Sequence, residues 1–334
     1  MVDIAEEIMG AKSICFFNNK GGVGKTTLVA NLAAELSINH NLKILLVDAD
    51  PQCNLSQYLL SDDEYISEYE KEDPETVFSV IHPLSIGKGY KSKLPIRHAS
   101  NFKCDVIIGD PRLAMKEDLL SQDWRDARAG GTRGLRTTFV FHDLLEKAHD
   151  YDFVFFDMGP SLGAINRSIL LVSDFFVLPA TIDIFSKWAI KNIGLALSTW
   201  QKDLANGIKN AEDPQELPID NNKHVKFLGY VMQQHKERAM GDNVRMVEAY
   251  NTISQQFPKI IKENFSKIFA YPDMKASLGE IKHLASLAPK SQSTHHPMIS
   301  VVAKGSYTTT RKQAREIFSS LARNFLENIK KSEV

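Results

Sequence analysis

Six short apolar runs recur along the chain: SICFFN (13–18), KILLVDAD (43–50), CDVII (104–108), DFVFFD (152–157), FFVLP (175–179) and FLGYVM (227–232). They are near-continuous instead of alternating, which predicts strands buried on both faces, as in a parallel sheet. Helical spacings fill most of the intervals. The clearest follows the first run, where Leu28, Leu32 and Leu36 recur on one face. Strands alternating with helices predict an α/β fold, a mostly parallel twisted sheet with helices on both faces. Near the end of the chain, Ala314, Ile317, Phe318, Leu321, Phe325 and Ile329 form an apolar stripe. A helix is expected over 310–329, with Thr310 and Gln313 at capping-box spacing.

Three polar stretches break this rhythm. SDDEYISEYEKEDPE (61–75) is acidic and reads as a solvated insertion. WRDARAGGTRGLR (124–136) is basic and glycine-containing and reads as a mobile loop, and NAEDPQELPIDNNKH (210–224) as a polar link. The apolar pattern continues through all three, so one domain spanning 1–334 is expected, with insertions around 57–103 and 110–136. The chain of 334 residues has a net charge of −1, so any nucleic-acid contact requires a local basic patch. Three scattered cysteines favour a reducing compartment over a disulfide framework. The opening MVDIAEEIMGAKS lacks the basic and apolar regions of a signal peptide, and no run approaches the ~18 apolar residues of a membrane span.

The chemistry concentrates in NNKGGVGKTTLVANLAAEL, residues 18–36. Glycines at 21, 22 and 24 allow backbone N–H groups to approach an anion that faces a helix N-terminus. Lys25 is spaced to reach the β- and γ-phosphates of a nucleotide, and the Thr26 hydroxyl to bind Mg²⁺. The segment departs from the usual phosphate-loop pattern at its first position, where Asn19 replaces glycine. A ligand-free glycine turn is the competing reading, but the strand before and the helix after favour a phosphate site. Phosphoryl transfer also needs carboxylates. Asp48 and Asp50 end the second run and Asp157 the fourth. In an open parallel sheet such strand ends share one edge. Each alone would suit a helix cap or a turn; together they favour a metal–nucleotide site.

KGGVGKTT, DADPQ and DMGPSLG resemble the deviant Walker A, switch I and switch II motifs of the ParA/MinD family of P-loop ATPases, most closely its short ParA/Soj-like partition members. SDFFVLPATIDIFS (173–186) and FLGYVMQQH (227–235) resemble the family's later strands. The resemblance implies a P-loop NTPase fold that binds ATP and Mg²⁺ and forms an ATP-sandwich homodimer. It implies slow hydrolysis of ATP to ADP and phosphate until a centromere-binding, ParB-like partner stimulates it. Carried onto this sequence, Lys20 is the signature lysine that crosses to nucleotide on the partner subunit, and Gly21 sits where two backbones come close. Gly22, Val23, Gly24, Lys25, Thr26 and Thr27 would complete the nucleotide cradle. Asp50 would activate the attacking water, and Asp48 and Asp157 would join Thr26 at the metal. Gln233 and Gln234 fall in the adenine-contacting segment, although their identity departs from its commoner residues. Gly159 stands where the family more often has proline.

The expected role is a cytoplasmic, nucleoid-associated switch in plasmid or chromosome partition or cargo positioning. Lys236, Arg238, Arg245, Lys259 and Lys262 are the candidates for non-specific DNA binding, with Lys267 beside them; interleaved Glu237, Asp242 and Glu263 favour an ordinary solvated face for any one of them. A MinD-like membrane-surface ATPase is the alternative. The last helix carries Glu316 and Glu327 beside Arg315 and Arg323, which favours core packing over a membrane. An ATP-gated effector outside partition is a further alternative. An electron donor resembling the nitrogenase iron protein is disfavoured by the placement of Cys53 and Cys104.

Overall fold

The apolar runs become the centre of an eight-stranded sheet, ordered β3-β4-β2-β5-β1-β6-β7-β8 among the described residues. The computed structural model describes residues 11–183, 185–217, 224–233, 244–282, 284, 286–302, 304–305 and 307–333. The strands are β1 (Lys12–Phe16), β2 (Ile44–Ala49), β3 (Ile96–Ala99), β4 (Cys104–Ile107), β5 (Phe153–Met158), β6 (Phe175–Ala180), β7 (Lys226–Gln233) and β8 (Ser277–Ile281). Every pairing is parallel except β3 with β4. The helices are α1 (Lys25–His40), α2 (Asn54–Leu59), α3 (Asp62–Tyr69), α4 (Val77–Ser85), α5 (Glu117–Ala129) and α6 (Thr132–Thr138). They continue with α7 (Val140–Glu146), α8 (Ala164–Val172), α9 (Ser186–Asn210), α10 (Val244–Phe265), α11 (Leu287–Ser293) and α12 (Tyr307–Ser332).

Strands β2, β5 and β6 are buried at every position, as their unbroken apolar runs require. The pleat sends alternate phenylalanines of β5 to opposite layers. Phe153 and Phe155 meet Phe325 of α12 edge-on, with ring centroids 5.4 and 5.7 Å apart, while Phe156 meets Phe141 of α7 at 5.9 Å. On the other wing, Phe265 of α10 packs on Phe176 and Phe227. Each buried aromatic of this kind is worth about 1.5–3 kcal/mol of transfer free energy. Ala314, Phe318, Leu321, Phe325 and Ile329 are all buried, so α12 spends its apolar stripe on the core, as its charge pattern favoured.

Of four differences from the sequence expectation, the first and third are corrections, and the second and fourth are elements it did not contain. First, the stretch 124–136 is no mobile loop: it forms the end of α5 and most of α6, with Trp124, Ala127 and Leu135 buried. Gly134 is there for close packing, since a Cβ would lie 2.2 Å from the Asp123 carbonyl oxygen. Second, the acidic stretch contains a helix, α3, started by a Ser61–Glu64 capping box. Third, Thr310 lies inside α12, which runs from Tyr307, and so is not its cap. Fourth, β3 and β8 went unforeseen, because edge strands bury one side and carry mixed polarity.

Candidate functional site

The loop after β1 leaves the carboxyl edge of the sheet between strands whose connections diverge, the place where open α/β sheets bind ligands. Gly22 and Gly24 adopt left-handed backbones, φ 71° and 70°. Gly24 is also closely covered, because a Cβ would come within 3.0 Å of the Gln233 side-chain amide, which would have to shift. It is the N-cap of α1 and offers no side-chain acceptor, so the first amides of α1 stay available to a bound anion. Asn18 ties the loop to β6: its Nδ2 donates to the Pro179 carbonyl at 2.8 Å, and its Oδ1 accepts from the Lys20 amide at 3.0 Å.

A cavity of about 1020 Å³ opens in front of this loop. Residues Gly21 to Thr27 and Asp50 line it, with Tyr58 and Tyr65 among those opposite. A slightly larger void, about 1180 Å³, lies between the last turn of α1 and α12. Its walls include no glycine loop and no helix N-terminus, so the loop cavity is the candidate site.

The two loop lysines occupy different stations. Lys25 is buried, and its Nζ donates to the carbonyls of Asn18 (3.3 Å) and Lys20 (3.2 Å). Burial lowers its pKa, opposed by the nearby Asp157 and Asp50 charges. Lys20 points to the other side, where Nζ pairs with the Asp183 carboxylate and lies 3.3 Å from Thr181 Oγ1. Lys20 is not among the residues that line the cavity. A Cβ on Gly21 would touch only Pro160, at 3.9 Å, so nothing among the described residues forbids a side chain there.

Strand register brings the carboxylates together, since Asp48 and Asp157 are direct partners across β2 and β5. Thr26 Oγ1 donates to Asp157 Oδ2 at 2.7 Å. Asp48 Oδ2 accepts from the Ser56 amide (2.8 Å) and hydroxyl (2.6 Å), and the Ser56 hydroxyl accepts from the Gly109 amide at 2.8 Å. The remaining oxygen, Oδ1, of both aspartates is buried without a hydrogen-bond partner. Burial, reinforced by the Asp48 charge, pushes the Asp157 carboxyl up to about 8. Burial likewise pushes Asp48 up to about 7. Two orphaned carboxylate oxygens beside a threonine hydroxyl are hard donors that fit Mg²⁺. Among the described residues no three His, Cys, Asp or Glu side chains form a ready cation cage. Asp50 is buried at the cavity wall; its Oδ1 accepts from the Gln52 amide at 3.0 Å and lies next to Gly159.

The remaining predicted residues divide. Val23 and Thr27 line the cavity, and Gln233 covers Gly24 with its Nε2 unpartnered. Gln234, Lys236 and Arg238 lie outside the described residues, as does the side chain of Arg245. Lys259 and Lys262 are exposed on α10, apart from the loop cavity, and Lys259 lies 3.9 Å from Glu263. Sequence reasoning missed Ser56, Asn18 and Asp183, whose roles depend on which strands become neighbours. It also missed a buried network behind α1. Asn31 Nδ2 donates to the Thr27 carbonyl (2.8 Å) and to the Tyr58 hydroxyl (2.9 Å), and its Oδ1 accepts from the Met298 amide (2.7 Å). Tyr58 also shares a hydrogen bond with Ser291 of α11 at 2.5 Å.

Residues 11–210 match the family model described as "AAA domain". The chain is 30% identical over 275 residues to the virulence plasmid ParA family protein of Chlamydia psittaci, covering 80% of this chain and 90% of that one. It is 30% identical over 246 residues to the chromosome partitioning protein ParA of Myxococcus xanthus, covering 70% and 77%. Among solved structures it resembles protein DIP2308 of Corynebacterium diphtheriae, with a TM-score of 0.70, 26% identity and coverage of 95% and 98%.

Proposed function

The chain belongs to the ParA/MinD-like family of P-loop ATPases, and from that premise we propose that it is a Mg²⁺-dependent ATPase whose ATP-bound form is a sandwich dimer acting as a switch in DNA partition or cargo positioning. One observation carries the reading: the loop holds two lysines with separate stations, one buried in the wall of the cavity and one outside it. A single nucleotide bound within one chain needs only the first.

In this reading the amides of Gly21 to Thr27 cradle the phosphates, and Lys25 exchanges its two carbonyl acceptors for phosphate oxygens. Thr26 and Asp157 would hold the metal, with Asp48 behind them, and a bound Mg²⁺ would supply positive charge against the phosphates. Asp50, on the cavity wall, orients the attacking water and accepts its proton. Lys20 of each chain reaches the nucleotide of the other and stabilises charge as the γ-phosphoryl leaves. A cation that binds the γ-phosphate across the seam would make pairing sensitive to hydrolysis. A ParB-like partner raises the slow basal rate. The cytoplasm and nucleoid are the proposed setting. The burial of α12 favours this branch over a membrane-surface ATPase, and no described helix is long and apolar enough to cross a membrane.

Asp50→Ala tests the assignment of the water-activating group. Hydrolysis should fall on the order of 10²-fold, while ATP binding survives and a persistent ATP dimer accumulates in light scattering. A variant that turns over at the wild-type rate would remove Asp50 from catalysis. Retention on non-specific DNA with ATP but not ADP, weakening steeply with salt, checks the partition role; liposome binding without DNA binding would redirect it to membrane positioning.

A further inference from the structure

Lys20 is held on its own chain by a built acceptor. The Asp183 carboxylate takes the Lys20 ammonium, accepts from Thr181 Oγ1 at 2.9 Å and accepts from the Phe185 amide at 2.9 Å. Thr181 and Asp183 follow β6 directly, and Phe185 leads into α9. Burial alone would raise the Asp183 carboxyl; Lys20, Thr181 and the Phe185 amide outweigh it and hold it below the usual carboxylate range. The other end of the pair is fixed as well. Asn18 holds the Lys20 amide and is itself tied to β6 through Pro179. Both partners therefore hang from one strand end.

We propose that Asp183 is a positioning residue that stations Lys20 on its own chain and sets the ATP concentration at which two chains pair. This rests on the trans role given to Lys20 above. The pair is half-exposed, with side chains 36% and 28% accessible, so its strength is modest and its ammonium can exchange. To engage a partner's nucleotide, Lys20 must give up Asp183 and Thr181. One carboxylate then competes with a triphosphate carrying several negative charges. The exchange favours pairing when the terminal phosphate is present and returns Lys20 to its own chain when it is lost. Asp183 thus raises the threshold for ATP-driven pairing and gives the released lysine somewhere to go.

Asp183→Asn keeps the size and an oxygen for the Phe185 amide while removing the charge. The dimer dissociation constant, measured by analytical ultracentrifugation with a non-hydrolysable ATP analogue and Mg²⁺, should fall about two- to fivefold. The gap from wild type should narrow at high salt. ADP affinity of the monomer should not change. The decisive measurement is a double-mutant cycle with Lys20→Ala: the effect of Asp183→Asn must vanish in the Lys20→Ala background, whereas a merely structural role would persist there. Thr181→Val, which removes the second acceptor, should shift dimerisation the same way by less. If Lys20→Ala weakens dimerisation but Asp183→Asn and Thr181→Val leave it unchanged or weaker, the station is refuted and the trans role stands. If Lys20→Ala dimerises like wild type, both fall together.

Discussion

Two sides of one glycine loop treat their lysines in opposite ways. On the β2–β5 side, Lys25 is buried, donates to main-chain carbonyls and sits among aspartates. On the β6–α9 side, Lys20 is half-exposed and paired with a single carboxylate. Main-chain carbonyls are neutral and fixed, so they park a cation without neutralising it, and an incoming phosphate takes it easily. A carboxylate neutralises its cation and releases it only to a stronger anion. One side is built for immediate ligand capture, the other for conditional exchange.

The largest break in this contrast is Lys25→Ala. Removing a desolvated cation from the phosphate site should cost at least about 10²-fold in nucleotide affinity, read by fluorescent ATP titration. Turnover should disappear with it. Lys20→Ala should be milder in binding and severe in chemistry: monomer affinity for ATP within about twofold, hydrolysis down on the order of 10²-fold. Equal losses of affinity for the two variants would erase the distinction between the stations.

A smaller effect sharpens the β2–β5 side. The Asp157 and Asp48 carboxyls are pushed up to about 8 and about 7, mainly by burial. The metal-free folded state therefore binds more protons than the unfolded chain, whose carboxyls titrate near 4. Their contribution to stability is fully present below that value and is lost as pH rises through about 7 and about 8. Asp157→Asn keeps the acceptor for Thr26 without a buried charge. At pH 8 the metal-free variant should melt about 2 °C or more above wild type, and its catalysis should lose Mg²⁺ response. A variant less stable than wild type at pH 8 and equal at pH 5 would reverse the sign of this account.

The central strands and the glycine loop were legible because their signals are local. An unbroken apolar run buried on both faces can hardly be anything but a core strand, and Asp48 and Asp157 are visible as polar residues at the ends of two such runs. The helices at 124–136 were hidden for the converse reason. Gly130, Gly131 and Gly134 suggested mobility, while the buried positions Trp124, Ala127 and Leu135 make sense only once α5 and α6 are packed together. Asp183 lies just past its strand, yet nothing in its own neighbourhood says that β6 will lie beside β1 and bring Lys20 within reach. Ser56 was invisible for the same reason: its bond to Asp48 depends on how α2 folds back after β2.

Asn31 sits at the junction of three segments, with its amide nitrogen on Thr27 and Tyr58 and its oxygen on Met298. Hydrolytic ageing of that amide to a carboxylate exchanges a single heavy atom, yet it sets an anion against the Thr27 carbonyl oxygen in a fully buried pocket. The change would be felt one turn away, at the helix start that lines the phosphate cavity.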